Sequence, residues 1–120
     1  MSPFPQTVLL HNPGCSKSRA ALAMLTERGV EFFVREYLLE PLGREELDAL
    51  QELLSAHPRE WVRTGEAAWG ESGLTLSAEP GRIMDAMVTS PVLLQRPILI
   101  HNDRAVVGRP PTMLLELLED

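Results

Sequence analysis

A short apolar run, Thr7-Val8-Leu9-Leu10, leads into His11-Asn12-Pro13-Gly14 and then directly into a segment with helical periodicity. No other feature constrains the chain as tightly. A continuous run this short, closed by a strong turn signal, reads as a strand buried on both faces. From Ser16 to Arg28 the apolar residues Ala20, Ala21, Met24 and Leu25 fall on one helical face, and Gly29 supplies the stop. Val30 to Tyr37 is rich in β-branched and aromatic residues and reads as a second strand. Strand, helix and strand in this order make a right-handed βαβ unit.

After Pro41 and Gly43 break the chain, Arg44 to Ser55 reads as a helix with Leu47, Leu50, Leu53 and Leu54 on one face. Pro58 to Glu71 carries both tryptophans and is consistent with one or two short helical turns; Trp61 and Trp69 are expected to anchor this stretch to the core. Pro80 to Thr89 reads as a helix with Ile83, Met84, Met87 and Val88 inward. Pro97 to His101 and Arg104 to Val107 flank Asn102-Asp103, a two-residue hairpin turn without the favoured glycine. Pro111 then opens a last helix through Met113, Leu114, Leu117 and Leu118. The expected fold class is α/β and thioredoxin-like, βαβ plus ββα. One domain over residues 1–120 is expected, with a helical insertion over about 44–89.

Composition narrows the function. Eleven Lys plus Arg against seventeen Asp plus Glu give a net charge of −6. That balance argues against a nucleic-acid partner held by bulk charge and against attraction to an anionic membrane. No apolar run is long enough to span a bilayer and no secretory leader is visible, so a cytoplasmic location is expected. The chain has one cysteine, which excludes an intrachain disulfide and multi-cysteine zinc sites. His11, His57 and His101 are scattered singly and suggest no metal site.

That cysteine, Cys15, sits where the first strand turns into the first helix. Helix-terminal N–H groups and the helix dipole stabilise an anion there, so a thiol at this position loses its proton more easily. His11, if protonated, would act in the same direction, as would Lys17 and Arg19. Cys15-Ser16-Lys17-Ser18 has the spacing of a two-cysteine redox motif with serine in the second position. Such a chain cannot resolve its own mixed disulfide, so an external thiol must release Cys15. Ser18 can hydrogen-bond a thiolate or an oxyanion. Arg63, Arg96 and Arg109 are candidate oxyanion ligands, because guanidinium groups bind tetrahedral anions through paired hydrogen bonds. Pattern alone does not bring the three together.

His11-Asn12-Pro13-Gly14-Cys15-Ser16-Lys17-Ser18-Arg19 resembles the His-Asn-Pro-x-Cys-x-x-Ser-Arg signature of the glutaredoxin-linked arsenate reductase (ArsC) family. Glu60-Trp61-Val62-Arg63, Leu94 to Ile100 with its Arg96-Pro97-Ile98, and Val107-Gly108-Arg109-Pro110-Pro111 are similar to further segments of that family. Together the matches extend from Thr7 to Leu118. The resemblance implies a thioredoxin-like fold with a helical insertion and a proline at position 97 that is usually cis. It implies arsenate reduction, with Cys15 as the nucleophile that forms a covalent adduct. Arg63, Arg96 and Arg109 are then the oxyanion ligands, and His11 helps to keep the thiol ionised. No bound cofactor is implied; glutathione is the external reductant and a glutaredoxin the partner. Ser16-Lys17 departs from the family's Gly-Thr, and with the end at Asp120 this aligns the chain with a shorter branch. Two alternatives are a monothiol redox protein acting on another substrate and an RNA polymerase-binding regulator resembling Spx. Ser18 counts against the second, since those regulators carry a two-cysteine switch.

Overall fold

The computed structural model describes residues 2–118. Strand β1 (Thr7–His11) is buried throughout and leads into helix α1 (Ser16–Glu27), followed by strand β2 (Phe33–Glu36). Helix α2 (Arg44–Leu54), a 3-10 turn (Pro58–Glu60), helix α3 (Ala67–Ser72), helix α4 (Pro80–Thr89) and a second 3-10 turn (Pro91–Leu93) make up the insertion. Strands β3 (Ile98–His101) and β4 (Arg104–Val107) and a 3-10 segment (Pro111–Leu118) complete the described chain.

The sheet order is β2-β1-β3-β4. β1 pairs parallel with β2, with His11 opposite Glu36, and antiparallel with β3, with Leu9 opposite Leu99. β3 and β4 form the hairpin, and Asn102 in its turn takes a left-handed backbone, φ 58°, which asparagine tolerates well. Side chains alternate across the strands. Val8, Leu10, Ile98 and Ile100 face one core, shared with Leu47, Leu50, Trp61, Ile83, Met84 and Met87 of the insertion. Leu9 and Leu99 face the other, against Ala21 and Leu25 of α1 and Leu114 and Leu117 of the terminal segment. The sheet is thus covered on both faces, which explains why β1 and β3 read as unbroken apolar runs.

Several details differ from the sequence reading. β2 is half the expected length, and Phe33 and Val34 are exposed, because β2 is an edge strand with a partner on one side only. The segment from Pro111 is 3-10 rather than α-helical. Its repeat of three residues per turn buries Leu114 and Leu117 and turns Met113 outward, against expectation. Ala20 and Val88 are also exposed, leaving Ser18, Ala21 and Leu25 as the buried positions of α1 and Ile83, Met84 and Met87 as those of α4. Trp61 is buried and its indole Nε1 donates to the Ala56 carbonyl at 3.0 Å, while Trp69 packs against the insertion-side core. No helix among the described residues is long and apolar enough to cross a membrane.

Two contacts fix how the insertion meets the sheet. Arg35 of β2 makes a bidentate pair with Glu46 of α2, at 2.8 and 3.0 Å, and also donates to the Glu40 and Pro41 carbonyls. At the far end, the Arg63 amide donates to the Leu93 carbonyl at 2.7 Å and the Gln95 amide to the Trp61 carbonyl at 3.0 Å. Val62 and Leu94 form the bridge between these bonds. This short antiparallel strap lays residues 61–63 beside 93–95.

Candidate active site

Cys15 is the N-cap of α1, in extended backbone, at the carboxyl end of β1. The turn that delivers it is held locally. The Cys15 amide donates to the Asn12 carbonyl at 3.0 Å, and the Gly14 amide donates to Asn12 Oδ1 at 2.9 Å. Arg19 reaches back from α1 to the Pro13 carbonyl at 2.9 Å. Ser18 is buried and its Oγ accepts the Asn12 amide at 3.1 Å, tying the turn to the first helical turn. An N-cap side chain faces the amides two and three residues on, here Lys17 and Ser18.

Those amides act on the thiol. Burial has the largest influence on Cys15 and opposes its ionisation. The Ser18 N–H, the Arg96 guanidinium and the Lys17 N–H together outweigh it, and the thiol pKa falls from 9.0 to about 7. The side chain remains partly exposed and free. It is therefore substantially thiolate at neutral pH and open to attack on an incoming electrophile.

His11 does not contribute as a cation. It is buried; burial pulls its pKa below the usual imidazole value, with Glu36 opposing and Arg19 assisting. Burial thus favours the neutral imidazole, and His11 is not among the groups that lower the Cys15 pKa.

The strap brings Arg63 to Arg96. Arg63 Nη1 donates to Gln95 Oε1 at 2.8 Å and its Nε to Glu66 Oε2 at 3.2 Å. The same Glu66 oxygen lies 3.9 Å from Arg96 Nη1. Arg96 precedes a cis proline, Pro97, and its carbonyl accepts from Arg109 Nη1 at 3.1 Å. Arg109 precedes a second cis proline, Pro110. Cys15, Arg63, Arg96 and Arg109 are thus linked through Arg96, which acts on the thiol, shares Glu66 with Arg63 and accepts Arg109. One carboxylate offsets three guanidinium groups, so the site is locally positive in an acidic chain.

Hydrogen-bonding capacity around the thiol is left unmet. Among the described residues, the buried side-chain nitrogens and oxygens without a partner are His11 Nδ1, Tyr37 Oη, and Nε and Nη1 of Arg96. Unpaired buried donors are costly and uncommon. Tyr37 Oη and the two Arg96 nitrogens are neighbours, which suits a site that completes its bonding with a bound polar group, whereas His11 follows Leu9 onto the α1 face of the sheet. A cleft of about 460 Å³ lined by Glu71, Arg82 and Asp85 lies elsewhere on the insertion and contains none of these residues.

Sequence reasoning missed Glu66, Gln95 and Tyr37. Glu66, three residues after Arg63, and Gln95, adjacent to Arg96, carried a weak signal as neighbours of candidate arginines. Tyr37 carried none beyond its place in an expected strand.

A profile of the ArsC family matches residues 10–117. The chain is 40% identical over 117 residues to the uncharacterized protein YfgD of Escherichia coli, covering 94% of this chain and 97% of that one. It is 40% identical over 109 residues to an arsenate reductase of Neisseria meningitidis, covering 89% and 93%. A solved arsenate reductase from Vibrio cholerae superposes with a TM-score of 0.88 at 36% identity, covering 92% of this chain and 96% of that one. The match spans both halves of the sheet, the insertion between them and every candidate site residue, and on that ground this thioredoxin-like chain belongs to the ArsC family.

Proposed function

We propose that this protein reduces arsenate to arsenite through a Cys15 thiolate. The observation that carries the reading is a thiol of pKa about 7 under the Arg96 guanidinium, whose Nε and Nη1 lack partners. Arg96, Arg63 and Arg109 hold the tetrahedral anion, and Ser18 holds the turn that presents the nucleophile. His11, neutral and buried, supports the same turn at the end of β1. The thiolate attacks arsenic, a sulfur–arsenic bond forms, and one oxygen leaves as water after protonation. A glutathione thiolate then attacks the Cys15 sulfur. The sulfur–sulfur bond forms, the sulfur–arsenic pair of electrons passes to arsenic, and arsenite departs. A glutaredoxin takes the glutathionyl group by thiol–disulfide exchange and restores Cys15. The chain needs no bound cofactor for this cycle, which runs in the reducing cytoplasm. The lack of a second cysteine supports this external-thiol route.

Arsenate-dependent NADPH consumption with glutathione, glutathione reductase and a glutaredoxin tests it. Turnover by the wild type and none by Cys15→Ser is the expected result. A wild type that is alkylated at Cys15 but does not turn over arsenate would reject the substrate.

A further inference from the structure

Tyr37 follows β2 directly, and the register that sets His11 opposite Glu36 places it beside Asn12, the first residue of the turn to Cys15. It is 1% exposed; the Asn12 side chain is near enough to donate toward its oxygen, but its hydroxyl proton has no acceptor among the described residues. A core position that needed only bulk would be filled by phenylalanine without the cost of an orphaned hydroxyl. The surroundings show what the hydroxyl is near. It lines a small cavity with Pro91 and Leu94, beside the strap that leads into Arg96, and the charges on Arg96 and Arg63 act on its hydroxyl, so it lies next to the arginine cluster on the sheet side. Arg96 Nε and Nη1 are the unpaired donors of that same cluster.

We propose that the Tyr37 hydroxyl is a further ligand of the bound oxyanion, a neutral donor at the floor of the arginine cluster. The inference rests on the oxyanion reading of the site and deepens it. Arginines attract an anion by charge, but a fourth positive group there would bind the thiolate more tightly as well. A phenol adds a directed hydrogen bond without adding charge. Burial raises the Tyr37 pKa, so the group stays a donor throughout the range in which Cys15 titrates.

Tyr37→Phe removes one oxygen and leaves the packing. Protection of Cys15 from iodoacetamide at pH 7 by arsenate, and separately by phosphate, reads anion binding without needing turnover. The half-protecting concentration should rise about ten-fold or more, the scale of one hydrogen bond to a charged group. Thermal stability should be unchanged or higher, and alkylation without anion close to wild type. Tyr37 is the only tyrosine, so 13Cζ-labelled tyrosine gives a second readout in the unaltered protein. Its resonance should shift with anion and saturate at the concentration that protects Cys15. Equal protection in both proteins, or a resonance unmoved at saturating anion, would overturn the role of Tyr37 and leave the oxyanion site standing. No protection of the wild type by either anion would overturn this role and the oxyanion site together.

Discussion

Replacing Arg96 by methionine should separate the ionisation of Cys15 from its accessibility. In the wild type the thiol pKa is about 7 against an ordinary 9.0. At pH 7 about half of Cys15 is thiolate, against about 1% for an unperturbed thiol, roughly a fifty-fold gain. Nucleophilicity falls with pKa, with a Brønsted slope of about 0.4–0.5, so the two-unit shift takes back roughly six- to ten-fold. A net advantage of roughly five- to eight-fold at pH 7 remains. Arg96→Met removes the guanidinium that favours the thiolate, and leaves the Ser18 and Lys17 amides against burial. The midpoint should rise by about one unit or more. For a one-unit rise, the variant should react about three-fold more slowly than wild type at pH 6 and about three-fold faster on the alkaline plateau. The two profiles therefore cross. Iodoacetamide rates from pH 5 to 10, followed by mass spectrometry, give both curves. Coincident midpoints would refute the electrostatic account of the low pKa. A variant slower at every pH would show that Arg96 controls access instead. The same shift appears in stability. The depressed native pKa contributes stability that is fully present above the unfolded thiol pKa and lost as pH falls through about 7. Cys15→Ser should lack that rise in Tm between pH 7 and 9.

Gly108→Ala places a methyl 2.9 Å from Leu114 Cγ and Cδ2 and 3.1 Å from Pro97 Cγ, with Leu114 fully buried. Overpacking of about 1–3 kcal/mol should lower Tm by several degrees, measured by calorimetry. Glu46→Gln breaks the bidentate pair with Arg35 and should cost about 1–2 kcal/mol in urea unfolding at pH 7. The Glu46 carboxyl is lowered chiefly by Arg35, so its contribution is present above the usual carboxylate pKa and lost as pH falls through the lower native value. The variant should close the gap with wild type in acid. Burial raises the pKa of the sole tyrosine, so the phenolate absorbance near 295 nm should appear only above pH 10 while the protein stays folded.

The strands and helices that were legible in the sequence are those whose burial follows a simple period. β1 and β3 are covered on both faces and read as unbroken runs; α2 carries leucines at helical spacing. Where tertiary context decides, the sequence said less. Phe33 and Val34 look like core residues but lie on an edge with nothing packed over them. The segment after Pro111 has leucines that suit either helix type, and only its docking on α1 and β4 selects the tighter one. In the site, the place of Cys15 at a helix start was legible because strand, turn and helix are consecutive. The gathering of Arg63, Arg96 and Arg109 was carried by family resemblance, since the strap joins 61–63 to 93–95 across the intervening chain of residues 64–92. The charge state of His11 was not legible, because it depends on burial that only the folded sheet supplies.

The strap has a consequence for how this molecule can be altered. Its bonds close the base of the excursion formed by residues 64–92, so the backbone of Arg63 is set by two adjoining stretches of chain, and from the excursion Glu66, at the head of α3, reaches its guanidinium. Past Glu66, α3 and α4 should tolerate being shortened, extended or exchanged at a cost in stability, because Ile83, Met84 and Met87 lie in the core, with the guanidinium still held by Gln95 and Glu66. A slip of one residue within the strap itself does the opposite. It changes few buried atoms and turns the residue-63 side chain to the other face. Tolerance to insertion and sensitivity to register thus sit side by side in the same short stretch of chain.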